Sequence, residues 1–234
     1  MIPLKLISKL KITSKYGERI HPITKKKDFH HGVDLTGGDE ILATANGKVV
    51  QVVNKGKKGG TMCKIRIQHK DYQSAYYHNK SGSARVRVGD YVNEGDFIAL
   101  TGDTGGATGV HLHFQIDKGS NATSINPTDY AKGKKELEGL LDLKLGKYIV
   151  ISPRYVRYGA GTDYQIKKVK ELTLDGQRHC VDQRENAKAQ YKKGTIFTAN
   201  KLLYAKNGAV WGCSPSGWVC IRSHKGEYYC KGKE

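Results

Sequence analysis

The stretch Thr108-Gly109-Val110-His111-Leu112-His113-Phe114-Gln115-Ile116 alternates polar with apolar side chains from His111 onward, and a period of two marks a β-strand with one wet and one buried face. His111, His113 and Gln115 share one face, and Leu112, Phe114 and Ile116 share the other. Two imidazoles placed side by side on a strand stand roughly 7 Å apart. At that spacing one ring can ligate a metal while its neighbour stays unliganded and handles a proton. The preceding loop, residues 100–109, carries four glycines that let backbone approach a ligand closely. It has neither the Gly-Lys-Ser/Thr ending nor the following helix of a phosphate loop, so it reads as the flexible wall of a groove.

Outward from this strand the pattern stays β. Short runs at 48–53, Lys64–Gln68, 84–88 and Phe97–Leu100 are separated by Gly, Asn and Asp turns, and the chain has 28 Gly but 5 Pro. The expected class is all-β, with helix a minor component. Residues 131–147 differ from their surroundings: they are rich in Lys, Glu and Leu and hold no β-branched residue. They read as a linker over 131–146, with Leu137, Leu140, Leu141 and Leu145 spaced for a short one-sided helix that Gly139 weakens. Strand pattern resumes at 148–152. This divides the chain into domains at 1–130 and 147–234.

The length, 234 residues, accommodates two such domains, and 38% apolar residues suffice for ordinary cores. No apolar run reaches the length of a membrane span, and Lys5, Lys9 and Lys11 interrupt the start before a secretory signal can form. Forty Lys and Arg against 22 Asp and Glu give a net charge of +18, spread over both halves, which draws the protein to a polyanion without naming it. Cys63, Cys180, Cys213, Cys220 and Cys230 are an odd set with no Cys-x-x-Cys pair, so free thiols are expected, with pairing or metal binding among the last four as the alternative.

Three other stretches carry chemistry. Phe29-His30-His31-Gly32-Val33-Asp34-Leu35 places imidazole and carboxylate, both zinc ligand types, on an extended segment leaving a tight loop. His31 reads as a neighbour of that pair. In the hairpin-like stretch 64–81, His69 falls at the turn, where a structural role is the stronger reading, and His78 closes a strand beside two tyrosines. Tyr16-Gly17-Glu18-Arg19-Ile20-His21-Pro22 precedes them all, and there His21 reads as a prop of the groove.

Taken in order, His30-x-Gly-x-Asp34, Tyr77-His78, the Gly-x-Thr-Gly loop and His111-x-His113 resemble the lysostaphin-type zinc metalloendopeptidases, which cut peptide bonds in bacterial peptidoglycan. The resemblance covers about residues 13–130, with the Tyr16 segment leading into the groove and Asn126-Pro127 leaving the closing strand. It implies an antiparallel β-sheet domain with an open groove. It also implies one Zn2+ held by His30, Asp34 and His113, with His78 and His111 as unliganded catalytic histidines. Three protein ligands leave a fourth position for water, as a catalytic zinc requires. A neutral His111 could take a proton from that water, and His78 in its donor state could bond the developing oxyanion.

The second half resembles bacterial SH3-like domains. The residues that carry this are Arg157-Tyr-Gly-Ala-Gly161-Thr-Asp-Tyr164, the turn Lys193-Gly194-Thr195 and the late Trp211 and Trp218. The segment 174–188 departs from that pattern as an insertion. The resemblance implies a small SH3-like β-barrel that binds the cell wall, with at least one of the two tryptophans in its core.

The resulting expectation is a zinc-dependent peptidoglycan endopeptidase with a C-terminal wall-binding module. It would be a monomer with no transmembrane segment and no specific nucleic-acid partner. Its endolysin-like character implies synthesis without a signal peptide in the cytoplasm of a phage-infected bacterium and action on the wall. Secretion after loss of a leader is the alternative localisation. An inactive wall-binding or regulatory protein of the same fold is the alternative function.

Overall fold

The computed structural model describes the chain except residues 120–122, 138, 140–142 and 234, and the side chains of Leu6 and Ile7. It divides into two compact units, Met1–Leu141 and Asp142–Glu234. Strands dominate both, as the alternating patterns and frequent turns require.

Unit 1 runs through β1 (Leu4–Ser14), β2 (Gly17–Ile20), β3 (Lys27–His30), β4 (Val33–Leu42), β5 (Gly47–Val53) and β6 (Lys64–Gln68). It continues with β7 (Tyr72–Tyr77), β8 (Tyr91–Val92), β9 (Phe97–Leu100), β10 (Leu112–Lys118), β11 (Thr123–Ile125) and the short helix α1 (Thr128–Ala131). The main sheet has the order β1-β4-β10-β7-β6-β5-β8, with β11 on β10 and β9 on β4, while β2 and β3 form a separate hairpin. All its ladders are antiparallel.

Alternation along the central strands builds two different faces. Val33 and Leu35 of β4, Ile65 and Ile67 of β6, Tyr76 of β7, and Leu112, Phe114 and Ile116 of β10 are fully buried in one core. Each such side chain contributes about 1.5–3 kcal/mol by leaving water, which pins the register. The residues between them, including Asp34, Arg66, Tyr77, His113 and Gln115, are only partly buried and line the opposite face. A strand was expected at 84–88, but these residues form no ladder. Val86 still anchors in the core, while Ala84 N–H donates to the Asn54 side chain and Arg85 N–H to the Ile98 carbonyl, so the segment is extended without a continuous partner.

The end of unit 1 includes part of the expected linker. Leu137 is 7% exposed and packs in the unit 1 core. Lys132 and Gly133 make a turn after α1, and Leu140 and Leu141 of the expected helical spacing lie outside the described residues.

Unit 2 contains β12 (Gly146–Val150), β13 (Arg154–Arg157), the helix α2 (Leu174–Arg178), β14 (Gln190–Tyr191) and β15 (Ile196–Ala199). β16 (Lys201–Tyr204), β17 (Val210–Ser214), β18 (Gly217–Arg222) and β19 (Cys230–Gly232) complete it. Its sheets have the orders β15-β12-β19 and β14-β13-β18-β17-β16. They share a second core around Tyr148, Val156, Tyr191, Phe197, Val219 and Ile221. Trp211 is 3% exposed, and Trp218 is half-buried. The segment 174–188 opens with α2, whose first turn is capped by Thr173 Oγ1 accepting from Gly176 N–H at 3.1 Å. All five cysteines are free thiols.

Candidate metal centre

The sheet order brings together residues far apart in sequence. β10 lies between β4 and β7, with His113 opposite Asp34 on one side and Tyr77 on the other. His30 ends β3, separated from β4 by only His31 and Gly32, and so reaches the same point. The short connection must pass over β10. A Cβ on Gly32 would stand 2.5 Å from the Phe114 carbonyl oxygen and 2.6 Å from His113 Nε2, so only glycine lets the chain cross there.

Three donor atoms converge as a result. His30 Nε2 is 2.8 Å from His113 Nδ1, His113 Nδ1 is 3.0 Å from Asp34 Oδ1, and His30 Nε2 is 3.2 Å from the same oxygen. Among the described residues, this is the one group of three His, Cys, Asp or Glu side chains close enough to share a metal ion. Zinc–nitrogen bonds of about 2.0–2.1 Å would put ligand atoms at nearly these separations, and two imidazoles with a carboxylate form a donor set of catalytic zinc sites. The residues fit the ion.

The surroundings hold each donor in its ligating form. His30 Nδ1 donates to the Lys15 carbonyl at 2.8 Å, which leaves Nε2 as a lone pair. Burial works to raise the Asp34 pKa, but the His113 and His30 rings against its carboxylate outweigh it and hold the carboxyl well below the usual range. Its second oxygen faces Arg19 Nη1 at 3.5 Å. Burial lowers the His113 pKa against the opposing pull of Asp34, so the ring is neutral and able to coordinate.

Two further imidazoles approach this group. His111 precedes β10, bridged to Gly102; its Nδ1 donates to the Gly109 carbonyl at 2.8 Å, and its Nε2 is 3.6 Å from Asp34 Oδ1. His78 follows β7 with φ of +62°, and its Nδ1 donates to the Thr104 carbonyl at 2.7 Å. The His78 ring centroid is 4.8 Å from that of His111 and 6.1 Å from that of His113. Burial, reinforced by the neighbouring histidines, lowers the His78 pKa. With both Nδ1 atoms committed to carbonyls, the neutral rings present Nε2 lone pairs, so His78 becomes a donor at Nε2 only as an imidazolium. An open cavity of about 410 Å³ adjoins Asp34 and His111, walled by Thr13, Arg19, Thr36 and Val110.

All five residues read from the sequence, His30, Asp34, His78, His111 and His113, therefore stand in one cluster. The other histidines are elsewhere. His31 Nδ1 is 2.7 Å from Ser124 Oγ, His21 Nδ1 accepts from the backbone of Ile23 and Thr24, and His69 is fully buried at its hairpin. Sequence reasoning gave no role to Arg19, although it lies in the Tyr16 segment. It also stopped at Gln115, although the same alternation carried one step further reaches Asp117.

Residues 28–127 match Peptidase family M23. The chain is 35% identical over 112 residues to an uncharacterized metalloprotease of Haemophilus influenzae, covering 47% of this chain and 22% of that protein. It is 32% identical over 121 residues to lysostaphin of Staphylococcus simulans, covering 50% and 24%. It is 33% identical over 138 residues to the peptidoglycan DD-endopeptidase ShyA of Vibrio cholerae, covering 56% and 31%. The chain thus spans between about a fifth and a third of the length of these relatives. Residues 28–127 thus carry the match to Peptidase family M23, and the His-His-Asp donor group within them suits the zinc ion on which M23 metallopeptidases depend.

Proposed function

We propose that unit 1 is a zinc endopeptidase that hydrolyses peptide bonds in the cross-links or stem peptides of bacterial peptidoglycan. His30, Asp34 and His113 serve as the ligands, and His78 and His111 do the proton chemistry. The observation that carries this reading is the convergence of three donor atoms within about 3 Å beside two imidazoles whose Nε2 lone pairs are free. Similarity to lysostaphin and to a peptidoglycan endopeptidase supports the substrate class.

Bound zinc supplies Lewis acidity, which polarises the scissile carbonyl and makes water a nucleophile near neutral pH. His111 Nε2, beside Asp34, accepts the proton of the attacking water. The same nitrogen then delivers that proton to the leaving amine. His78, once protonated, donates from Nε2 to the developing oxyanion. Burial that disfavours its charge makes it a stronger donor in that state.

For unit 2 we propose an SH3-like module that holds the wall polymer. Support comes from the Arg-x-Gly-type stretch, the paired small sheets and the exposed Tyr158 and Tyr164 among Lys and Arg residues. Holding a modest cutter on an insoluble polymer raises its effective concentration there, and cleavage of enough cross-links lyses the cell.

The test is mass spectrometry of purified peptidoglycans of different cross-link types after incubation with the protein, with and without a zinc chelator. New amine termini that vanish on chelation establish the activity and identify the bond. A zinc-loaded protein that releases nothing from any wall in the panel rejects it in favour of wall binding without cleavage.

A further inference from the structure

The polar row on the groove face continues past His113. Gln115 and Asp117 follow at alternate positions of β10, and Arg66 of β6 faces them across β7, where Ala75 lies between Arg66 and Gln115. The Asp117 side chain is 1% exposed, and that of Arg66 is largely covered. The Arg66 guanidinium donates to Asp117 Oδ2, and Asp117 Oδ1 accepts from Gln115 Nε2 at 2.6 Å.

A carboxylate only accepts, so it dictates which way the Gln115 amide faces: nitrogen toward Asp117, carbonyl oxygen toward the His113 ring, with which Gln115 shares a hydrogen bond. That oxygen in turn accepts only. Because Nδ1 is turned to His30 and Asp34 while Nε2 lies beside Gly32, level with Gln115, we take Nε2 as the nitrogen that meets this oxygen; Nε2 then carries the proton and Nδ1 is left as a lone pair. The same guanidinium also donates to the Tyr77 hydroxyl at 3.2 Å, and the Tyr77 ring stands edge-on to His113 at 5.3 Å. Arg66 thus steadies His113 from two sides. A buried ion pair is weak evidence of a stability role, because desolvation offsets most of its attraction.

We propose that Arg66 and Asp117 form a positioning pair for the metal centre: acting through Gln115, they fix the tautomer and orientation of His113 and thereby set zinc affinity. His30 obtains the same service from the Lys15 backbone carbonyl, so the His113 side is where side chains tune the site. The proposal rests on His113 being a zinc ligand.

The experiment measures zinc affinity of the full chain by competition with a chromophoric chelator, for the parent and for Gln115→Leu, Asp117→Leu, Asp117→Asn and His113→Ala. Thermal melts of the zinc-free proteins check the fold, and long-range nitrogen–proton NMR correlations read the His113 tautomer. Gln115→Leu and Asp117→Leu are expected to weaken zinc binding about 10–100-fold and to let protonated Nδ1 appear. Asp117→Asn, whose amide oxygen still accepts from Gln115, should lose less. Gln115 is only half-buried, so Gln115→Leu carries the test if Asp117→Leu does not fold. Loss of zinc in His113→Ala together with affinity within about twofold of the parent and an unchanged tautomer in folded Gln115→Leu overturns the relay alone. Zinc retained by His113→Ala removes the ligand assignment and the relay with it.

Discussion

His69 and His113 are both covered imidazoles, and what each ring meets decides its chemistry. His69 Nδ1 donates to the Asn46 carbonyl at 3.0 Å, and its Nε2 is 2.8 Å from Ser74 Oγ; these partners are neutral, and burial pushes its pKa down to about 4. The unfolded chain takes up this proton near pH 6.5, well before the folded chain does. Stability from the neutral ring is therefore complete above about pH 6.5 and is lost as the pH falls toward about 4. At about 1.4 kcal/mol per pH unit the loss reaches about 3 kcal/mol. Urea unfolding of the zinc-free protein across that window should show the slope, and His69→Gln should flatten it while lowering stability at neutral pH. His113 instead meets Asp34 and Gln115, contacts that suit it to a cation. Elemental analysis should find His30→Ala and His113→Ala without zinc and inactive. His111→Ala should keep zinc and lose about 10²–10⁴-fold in turnover, the worth of a general base. Loss of zinc from folded His111→Ala would reverse the assignment of ligand and base.

At the scale of an element, the end of β7 departs from strand geometry for the sake of the site. Tyr77 faces the groove opposite His113, so a regular strand would send His78 to the core side. At φ of +62° the backbone instead turns into the left-handed region, and His78 swings back toward His111. That conformation costs a non-glycine residue about 1–2 kcal/mol. His78→Gly should therefore be more stable than His78→Ala by about 1 kcal/mol in urea unfolding, while both lose activity alike. Equal stability of the two variants would show that the turn is unstrained.

At the scale of the molecule, each unit closes its own core, and the net charge of +18 is available to hold an anionic polymer. The residue 1–146 fragment keeps Leu137 in the unit 1 core. It should cut soluble wall peptides as the full chain does but clear intact walls more slowly, with the gap shrinking as salt is raised. Equal clearance of intact walls by fragment and full chain would remove the targeting role of unit 2. A fragment ending at residue 130 leaves out Leu137, and deletion of a buried leucine side chain costs about 2–5 kcal/mol.

The sequence by itself determined the elements whose pattern is local. Alternation defined β6 at Lys64–Gln68 and the wet face of β10, and the short motifs that resemble the lysostaphin-type endopeptidases singled out His30, Asp34, His78, His111 and His113. Period two and short motifs need only neighbours along the chain. Contacts made across strands were not legible there. The strand expected at 84–88 formed no ladder because its partners were decided by loops from elsewhere in the chain. The return of His78 to the groove depended on a single backbone dihedral. The sheet order β4-β10-β7-β6 decided the rest, because it sets Asp34 beside His113 and Arg66 within reach of Asp117, pairs separated by 79 and 51 residues that no spacing rule connects.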